Sequence, residues 1–433
     1  MSANRRILVV LGGLALLLWV DQGYGLPSFA RKYRTSCATC HEAYPKVNPF
    51  GEAFRRNGYQ FPGHTDAEFT KEDPVPLGAE GSKRAFPDAV WPGSMPGTSP
   101  LALLLNGEID YNPKEEPRFS FGGLGNSLEL AAAGTLGEDL SFWGGVALNA
   151  DGEVELSRIF IILSNLIGSS YALNVRAGTI EPGVFSFSTH RAWLEGYWIT
   201  TRAFSDDMGW TLEESQKAVE VNGMATGRFA YSAGLAEGYG EPHSGKDYYL
   251  HATYKFGGLP LDGIARGGGT IGPTGPGEET SCTVGSFYYR GDAVIGTGSV
   301  VQGNRFTLFG GDVNLSYDRF NLFAGLSIRS DDAPFPGSPG YSADSHVWFA
   351  ELDVMVFPWL YPTVRYESWS GQMLDAASTG LNDFLDSQVV PGIVALLRAN
   401  VKFTLRAGFS KMQSLGATGF AADQVQLQMA LGI

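Results

Sequence analysis

From Leu101 to its end the chain alternates apolar and polar residues, and this period of two limits what it can fold into more than any other feature. Val425, Leu427, Met429, Leu431 and Ile433 alternate with Gln424, Gln426 and Gln428, giving a final strand one apolar and one largely polar face. Leu397, Ala399, Val401, Phe403, Leu405, Ala407 and Phe409 interleave with Arg398, Asn400, Lys402, Thr404 and Arg406, which reads as one strand of thirteen residues, 397 to 409. Soluble strands usually run about five or six residues. A tilted membrane strand, lipid on one face and a charged lumen on the other, suits the longer run. Val313, Leu315 and Tyr317, then Phe320, Leu322, Ala324, Leu326 and Ile328, repeat the theme across a tight turn at Asp318-Arg319. That is a hairpin.

Further alternating segments cover 101–112, 127–136, 140–150, 154–163, 171–180, 219–226, 228–238, 247–256, 346–357 and 360–369. The polar stretches 257–279, 330–345 and 370–389 read as loops too long for a compact soluble core. Short turns at one end and long loops at the other describe an outer-membrane barrel. Residues 101–433 number 433 − 100 = 333, and at roughly 20 to 21 residues per strand with its loop this gives about 16 strands. The expected fold is therefore an all-β, antiparallel, up-and-down outer-membrane barrel of about 16 strands. A large soluble β-sandwich or propeller is the competing architecture, since alternation also marks a half-buried soluble sheet.

The N-terminus has a different character. Arg5 and Arg6 precede an apolar run from Ile7 to Val20, and Gly23 and Gly25 suit a signal peptidase, so residues 1–25 read as a cleaved export signal. A retained anchor is the alternative, and no later stretch approaches the roughly 18 apolar residues of a membrane helix. The formal charge of -14 and pI near 4.9 exclude nucleic acid as a partner of the whole. Residues 26–63 run against that balance, with six bases (Arg31, Lys32, Arg34, Lys46, Arg55, Arg56) and two acids (Glu42, Glu52), a local 6 − 2 = +4. The two parts do different work.

Cys37-Ala38-Thr39-Cys40-His41 has the C-x-x-C-H spacing of a c-type haem attachment site. Two thiols three positions apart reach the two vinyl groups along one haem edge, and His41 then ligates the iron. A redox C-x-x-C pair or half a zinc site are the alternatives, but the sequence has no second C-x-x-C and no βαβ pattern around this one. Downstream, Asn48-Pro49 reads as an N-cap with proline at the first helical position, Phe50 and Phe54 fall on one face, and Asn57-Gly58 closes the helix. The two phenylalanines are expected either on the porphyrin or in a small protein core. For a sixth ligand the first candidate is Met95, in Gly93-Ser94-Met95-Pro96, 95 − 41 = 54 residues after His41. His64 competes, and five-coordinate iron is the third case. The Pro- and Gly-rich stretch 68–100 reads as a linker or lid, which divides the chain into 1–25, a 26–100 haem domain with linker, and a 101–433 barrel.

The run Phe29-Ala30-Arg31-Lys32-Tyr33-Arg34, the haem motif, and Tyr44-Pro45-Lys46-Val47-Asn48-Pro49-Phe50-Gly51-Glu52-Ala53-Phe54-Arg55-Arg56-Asn57-Gly58-Tyr59 resemble the start of the fused monohaem cytochrome-porins of bacterial outer membranes, whose best known members are ferrous iron oxidases. The resemblance is specific over about 35 residues and architectural beyond them. It implies one covalent haem c on Cys37, Cys40 and His41, a small α-helical haem domain plugging or capping a 16-stranded porin, and electrons passing from an extracellular donor, Fe(II), to a periplasmic carrier. An oxidoreductase activity toward Fe(II) is implied with it. A conduit with another donor or acceptor, a diffusion porin with a structural haem, and a soluble periplasmic cytochrome stay open. Many outer-membrane barrels end in an aromatic residue, whereas this chain ends in Ile433.

Other features carry less. Cys282 reads as an unpaired thiol, and His190, His243, His251 and His346 occur singly. The Gly267-Gly268-Gly269 run and the stretch from Gly272 to Gly277 read as flexible loop, not a phosphate cradle. Asp206-Asp207, Glu213-Glu214 and Asp331-Asp332 read as solvated loop charge or entry points for a cation.

Overall fold

The computed structural model describes residues 27–433 apart from 74, 77, 79, 89–93, 122–126, 150–151, 153, 169, 203–210, 213–214, 239–244, 265–276, 297–300 and 375–379. The export signal, His243, Asp206-Asp207, Glu213-Glu214, the triple glycine and most of the second glycine run lie outside the described residues. Sixteen long antiparallel strands close into a barrel. They are β1 (Leu101–Tyr111), β2 (Ser127–Thr135), β3 (Leu140–Asn149), β4 (Val154–Leu163), β5 (Asn174–Ile180), β6 (Gln216–Ala225), β7 (Phe229–Ala236) and β8 (Asp247–Gly257) in the first half. The second half comprises β9 (Thr280–Ile295), β10 (Gln302–Tyr317), β11 (Phe320–Asp331), β12 (Ala343–Val354), β13 (Leu360–Leu374), β14 (Leu381–Arg398), β15 (Val401–Met412) and β16 (Ala421–Gly432). A three-residue strand, Phe119–Phe121, pairs with the far end of β1. Closure is made by β16 against β1, where Ile433 N donates to Leu103 O (2.8 Å) and Leu103 N donates back to Ile433 O (2.9 Å).

Side chains are turned inside out relative to a soluble barrel. On β8, Asp247, Tyr249, His251, Thr253 and Lys255 point inward and are buried, while Leu250 is 56% and Phe256 55% exposed on the outer face. On β16, Val425, Leu427 and Met429 face outward and Gln426 and Gln428 inward. Such an outer surface is stable only against lipid, and a closed barrel leaves no unpaired strand edge there. The sandwich and propeller alternatives are thereby set aside. Exposed aromatic residues gather at the short-turn end, with Tyr317 and Phe320 beside one turn and Phe357 and Trp359 beside the next. This is the position of an interfacial girdle.

Three sequence expectations need correction, the first being Asp331, read as solvated loop charge but buried at the end of β11, where it accepts from Arg329 (2.8 Å) and Asn304 (2.6 Å). The run 397–409 is a hairpin, because β14 ends at Arg398, Ala399-Asn400 forms the turn, and β15 starts at Val401. Partners across this turn, such as Ile393 with Leu405 and Val394 with Thr404, share a face and a parity, so the alternation runs through the turn unbroken. The stretch 370–389 is mostly strand, the outer ends of β13 and β14. Its polar residues deceive because they line the lumen, as buried Asp386 and Ser387 do while Leu385 faces outward.

The described part of the connection from β5 to β6, 181–202, folds into the barrel. Within it, Phe185 and Phe187 pack on Phe287, Phe323 and Phe349 of the barrel wall, and a short helix Trp198–Thr201 rests against β11, β12 and β13. The N-terminal segment fills the short-turn mouth below it. Helix α1 (Pro27–Tyr33) leads to the C-x-x-C-H turn, and α2 (Pro49–Arg56) follows it. Tyr33, Phe50, Phe54 and Phe61, with Phe29, Tyr59 and Phe69 around them, form its apolar core. Docking bonds run from it to several turns: Gln60 Nε2 donates to Gly137 O, Asn57 Nδ2 to Asp262 O (2.9 Å), and Tyr361 OH to Glu42 O (3.3 Å). Lys46 Nζ donates to Asn321 Oδ1 (2.8 Å) and pairs with Asp353. The segment is a plug.

Candidate cofactor site

The site is built on the turn that holds the two cysteines. Ser36 Oγ accepts from Ala38 N (3.3 Å) and Cys40 N donates to Cys37 O (3.1 Å), winding 37–39 into a single tight turn. Asn48 serves both neighbours. Its Oδ1 accepts from Gly51 N (2.8 Å), capping α2, while its Nδ2 donates to Ala38 O (3.2 Å) and Thr39 O (3.1 Å). The N-cap expected from Asn48-Pro49 is thus also a clamp on the motif. Helix α2 ends at Arg56 with Asn57 as its C-cap, and Gly58 follows with φ of 65°, a left-handed position suited to glycine.

Cys37, Cys40 and His41 line a cavity of about 430 Å3 between plug and barrel wall. That falls within the roughly 300–1,000 Å3 of small-molecule and cofactor sites. Cys37 and Cys40 are not joined in a disulfide. Burial, with the neighbouring Cys37, pushes the Cys40 thiol up to about 12, opposite to the lowered thiol of a redox C-x-x-C. His41 Nδ1 lies 3.2 Å from Pro45 O. A carbonyl only accepts, so the proton sits on Nδ1, and Nε2 keeps the lone pair an iron would need. Burial also draws the imidazole down to about 4, keeping it neutral.

The walls suit a flat, largely apolar, anionic group. Phe29, Tyr33, Phe54, Tyr59 and Phe61 come from the plug, and Trp143 and Phe160 from β3 and β4. Phe54 lines the cavity, whereas Phe50, four residues earlier, is buried against Phe61 (5.3 Å between centroids) in the plug core. Charged lining residues are Arg55, Arg158, Arg191 and Lys402 against Glu129 and Glu195, a formal 4 − 2 = +2. Burial and repulsion from Arg55 draw Arg191 down to about 10. Burial raises Glu181, but His190, Arg191 and Arg158 outweigh it and bring the carboxyl down to about 2. Arg55 is paired with Glu52 (2.6 Å), and Arg191 and Arg158 share Glu181 at 3.8 and 3.9 Å, so these cations are held in place by protein carboxylates while the lining keeps a formal positive balance compatible with the propionates of a haem. Thiol spacing, imidazole tautomer, ring-lined walls and charge all fit a covalently tethered haem.

Neither nominated sixth ligand is among the residues that line the cavity. Met95 is 48% exposed, paired with Val75 in a two-residue ladder, because the segment folds back onto Glu72, whose carboxylate accepts from Thr98 N (2.9 Å). His64 stacks on Tyr171 (5.8 Å) outside the lining. His251 Nε2 faces Asp312 (3.7 Å) in the lumen, His346 is exposed on β12, and Cys282 is an unbridged thiol on β9. His190, Arg191, Arg158 and Trp143 line the cavity and sequence reasoning missed them. For His190 and Arg191 the available signal was the length of 181–215; Trp143 and Arg158 lie on β3 and β4.

Comparison with known proteins agrees with the fold. No family model matches the chain, and no curated relative matches it. Among solved structures, OmpF of Salmonella typhi, in complex with daunomycin, shares 12% identity with a TM-score of 0.54, covering 77% of this chain and 97% of that one. OmpT of Vibrio cholerae shares 12% at a TM-score of 0.52, covering 78% and 99%, and the anion-selective porin of Comamonas acidovorans 15% at 0.51, covering 77% and 98%. The chain has the 16-stranded fold of outer-membrane porins.

Proposed function

We propose that this chain is an outer-membrane cytochrome-porin, which passes electrons between an extracellular donor, Fe(II), and a periplasmic carrier through one haem c in the plug cavity. The observation that carries the reading is the convergence of Cys37, Cys40 and a His41 with its Nε2 lone pair available on one ring-lined, positively charged cavity in the mouth of a membrane barrel. Bound there, haem would supply a one-electron iron centre. The chain's own residues do the rest: the cysteines tether, His41 ligates, the aromatic rings exclude water, and Arg55, Arg158 and Arg191 balance the propionates. A single membrane protein with one cofactor cannot relay electrons by a chain of hops. The barrel instead lets small donors approach from the long-loop side, while the plug, basic in sequence, meets a partner from the short-turn side.

A diffusion porin whose haem is structural is the second reading, and the shared porin fold favours it. The test is an absorption spectrum of the detergent-extracted, air-oxidised protein before and after anaerobic Fe(II), with dithionite as the full-reduction reference. A reduced c-type band on adding Fe(II) supports the first reading. Reduction by dithionite alone, with ion conductance that survives loss of haem, supports the second.

A further inference from the structure

We propose that His190 is the second axial ligand of the haem iron, so that the plug and the inward-folded loop of the barrel each contribute one imidazole. The inference rests on the haem reading above. A six-coordinate cytochrome iron takes an imidazole or a thioether opposite its proximal histidine. Among the described residues, His190 is the one histidine besides His41 that lines the cavity, and no methionine lines it.

The loop holds this residue in place. His190 sits in the one-turn helix Thr189–Arg191, where Arg191 N donates to Ser188 O (3.0 Å) and Ser188 Oγ donates to Glu181 Oε2 (2.7 Å). Arg191 lies 3.8 Å from the same carboxylate, and His190 interacts with it electrostatically. A carboxylate near the imidazole favours its metal-bound form electrostatically. The adjoining Trp193 Nε1 donates to Ala43 O (2.7 Å), so the loop bearing His190 is bonded two residues beyond His41. Two imidazoles would give the iron a lower potential than a histidine–methionine pair and leave it no open position. Electrons would then cross through the cavity wall, not by contact of donor with iron.

The full-length protein, matured with covalent haem, is compared with His190→Ala and His190→Met by haem stain on denaturing gels, low-temperature electron paramagnetic resonance and near-infrared magnetic circular dichroism of the ferric form. Wild type should give a low-spin bis-imidazole signature. His190→Ala should keep its covalent haem, turn high-spin, and regain the low-spin signal on adding imidazole. His190→Met should stay low-spin, gain the thioether-to-iron charge-transfer band and show a raised midpoint potential, which separates ligand loss from misfolding. An unchanged low-spin spectrum in His190→Ala overturns the proposal, as does a wild-type thioether or amine signature lost in Met95→Ala or Lys402→Ala. Wild type without covalent haem would instead overturn the haem reading on which it rests.

Discussion

At the scale of single residues, the plug is held by charge that has little water to fall back on. Lys46 keeps 14% side-chain exposure, Asp353 3%, and Glu42 lies 3.5 Å away on the other side. The ammonium also stands 4.4 Å from the centroid of the Trp193 ring, so one side chain joins plug, barrel wall and inward loop. Burial opposes the charge, but Asp353 and Glu42 reverse that and hold the amine well above its usual value. Removing one partner of a buried ion pair typically costs about 3–5 kcal/mol, because the other charge is stranded. Lys46→Ala should therefore loosen the plug while leaving the barrel folded. Limited proteolysis and hydrogen exchange over 41–57 should show the change, and the double variant with Asp353→Asn should recover part of it. Equal protection in wild type and Lys46→Ala would mean that docking relies on backbone bonds instead.

At the scale of elements, α2 and the haem-motif turn touch backbone to backbone. A Cβ built on Gly51 would lie 2.0 Å from Cys40 O, closer than any side chain can sit. Glycine at this position is a packing requirement, and Gly51→Val should push α2 from the motif at about 1–3 kcal/mol for overpacking. On the proposed haem reading, the expected readout is a reduced yield of covalent haem with unchanged barrel heat-stability, and normal haem yield would show that the turn can shift at no cost. This contact was invisible in sequence, where Pro49-Phe50-Gly51 reads only as a helix start. The cap at Asn48 and the barrel strands were legible because capping and alternation are local patterns. Residues 397–409 and 370–389 misled because a register shift between Leu396 and Arg398 restores parity across the two-residue turn, and because lumen polarity imitates a loop. His190 and Arg191 stayed hidden for a third reason: their place is set by a loop folding back through the barrel, which no local period encodes.

At the scale of the whole molecule, two obstructions share one lumen, the plug in the short-turn mouth and the inward loop above it. A bare 16-stranded porin leaves an aqueous channel. Here the loop is tied across that channel by Arg365, which donates to Leu194 O (3.2 Å) and Glu195 O (3.0 Å), with Arg406 donating to Glu195 O (2.9 Å). Glu367 accepts from Trp198 N (2.8 Å), and Tyr197 OH donates to Glu351 (2.7 Å). Arg365 is 1% exposed and lies 3.1 Å from Glu367 and 3.7 Å from Glu351, so Arg365→Leu would strand two buried carboxylates and release the loop backbone together. In planar bilayers the wild type should conduct less than an unplugged barrel of this size, and Arg365→Leu should raise both conductance and its fluctuations, with faster hydrogen exchange over 193–202. If exchange quickens and conductance does not, the plug alone sets the resistance. Lys46→Ala, combined with Arg365→Leu, should then open the pore, because each obstruction is pinned by its own buried cation.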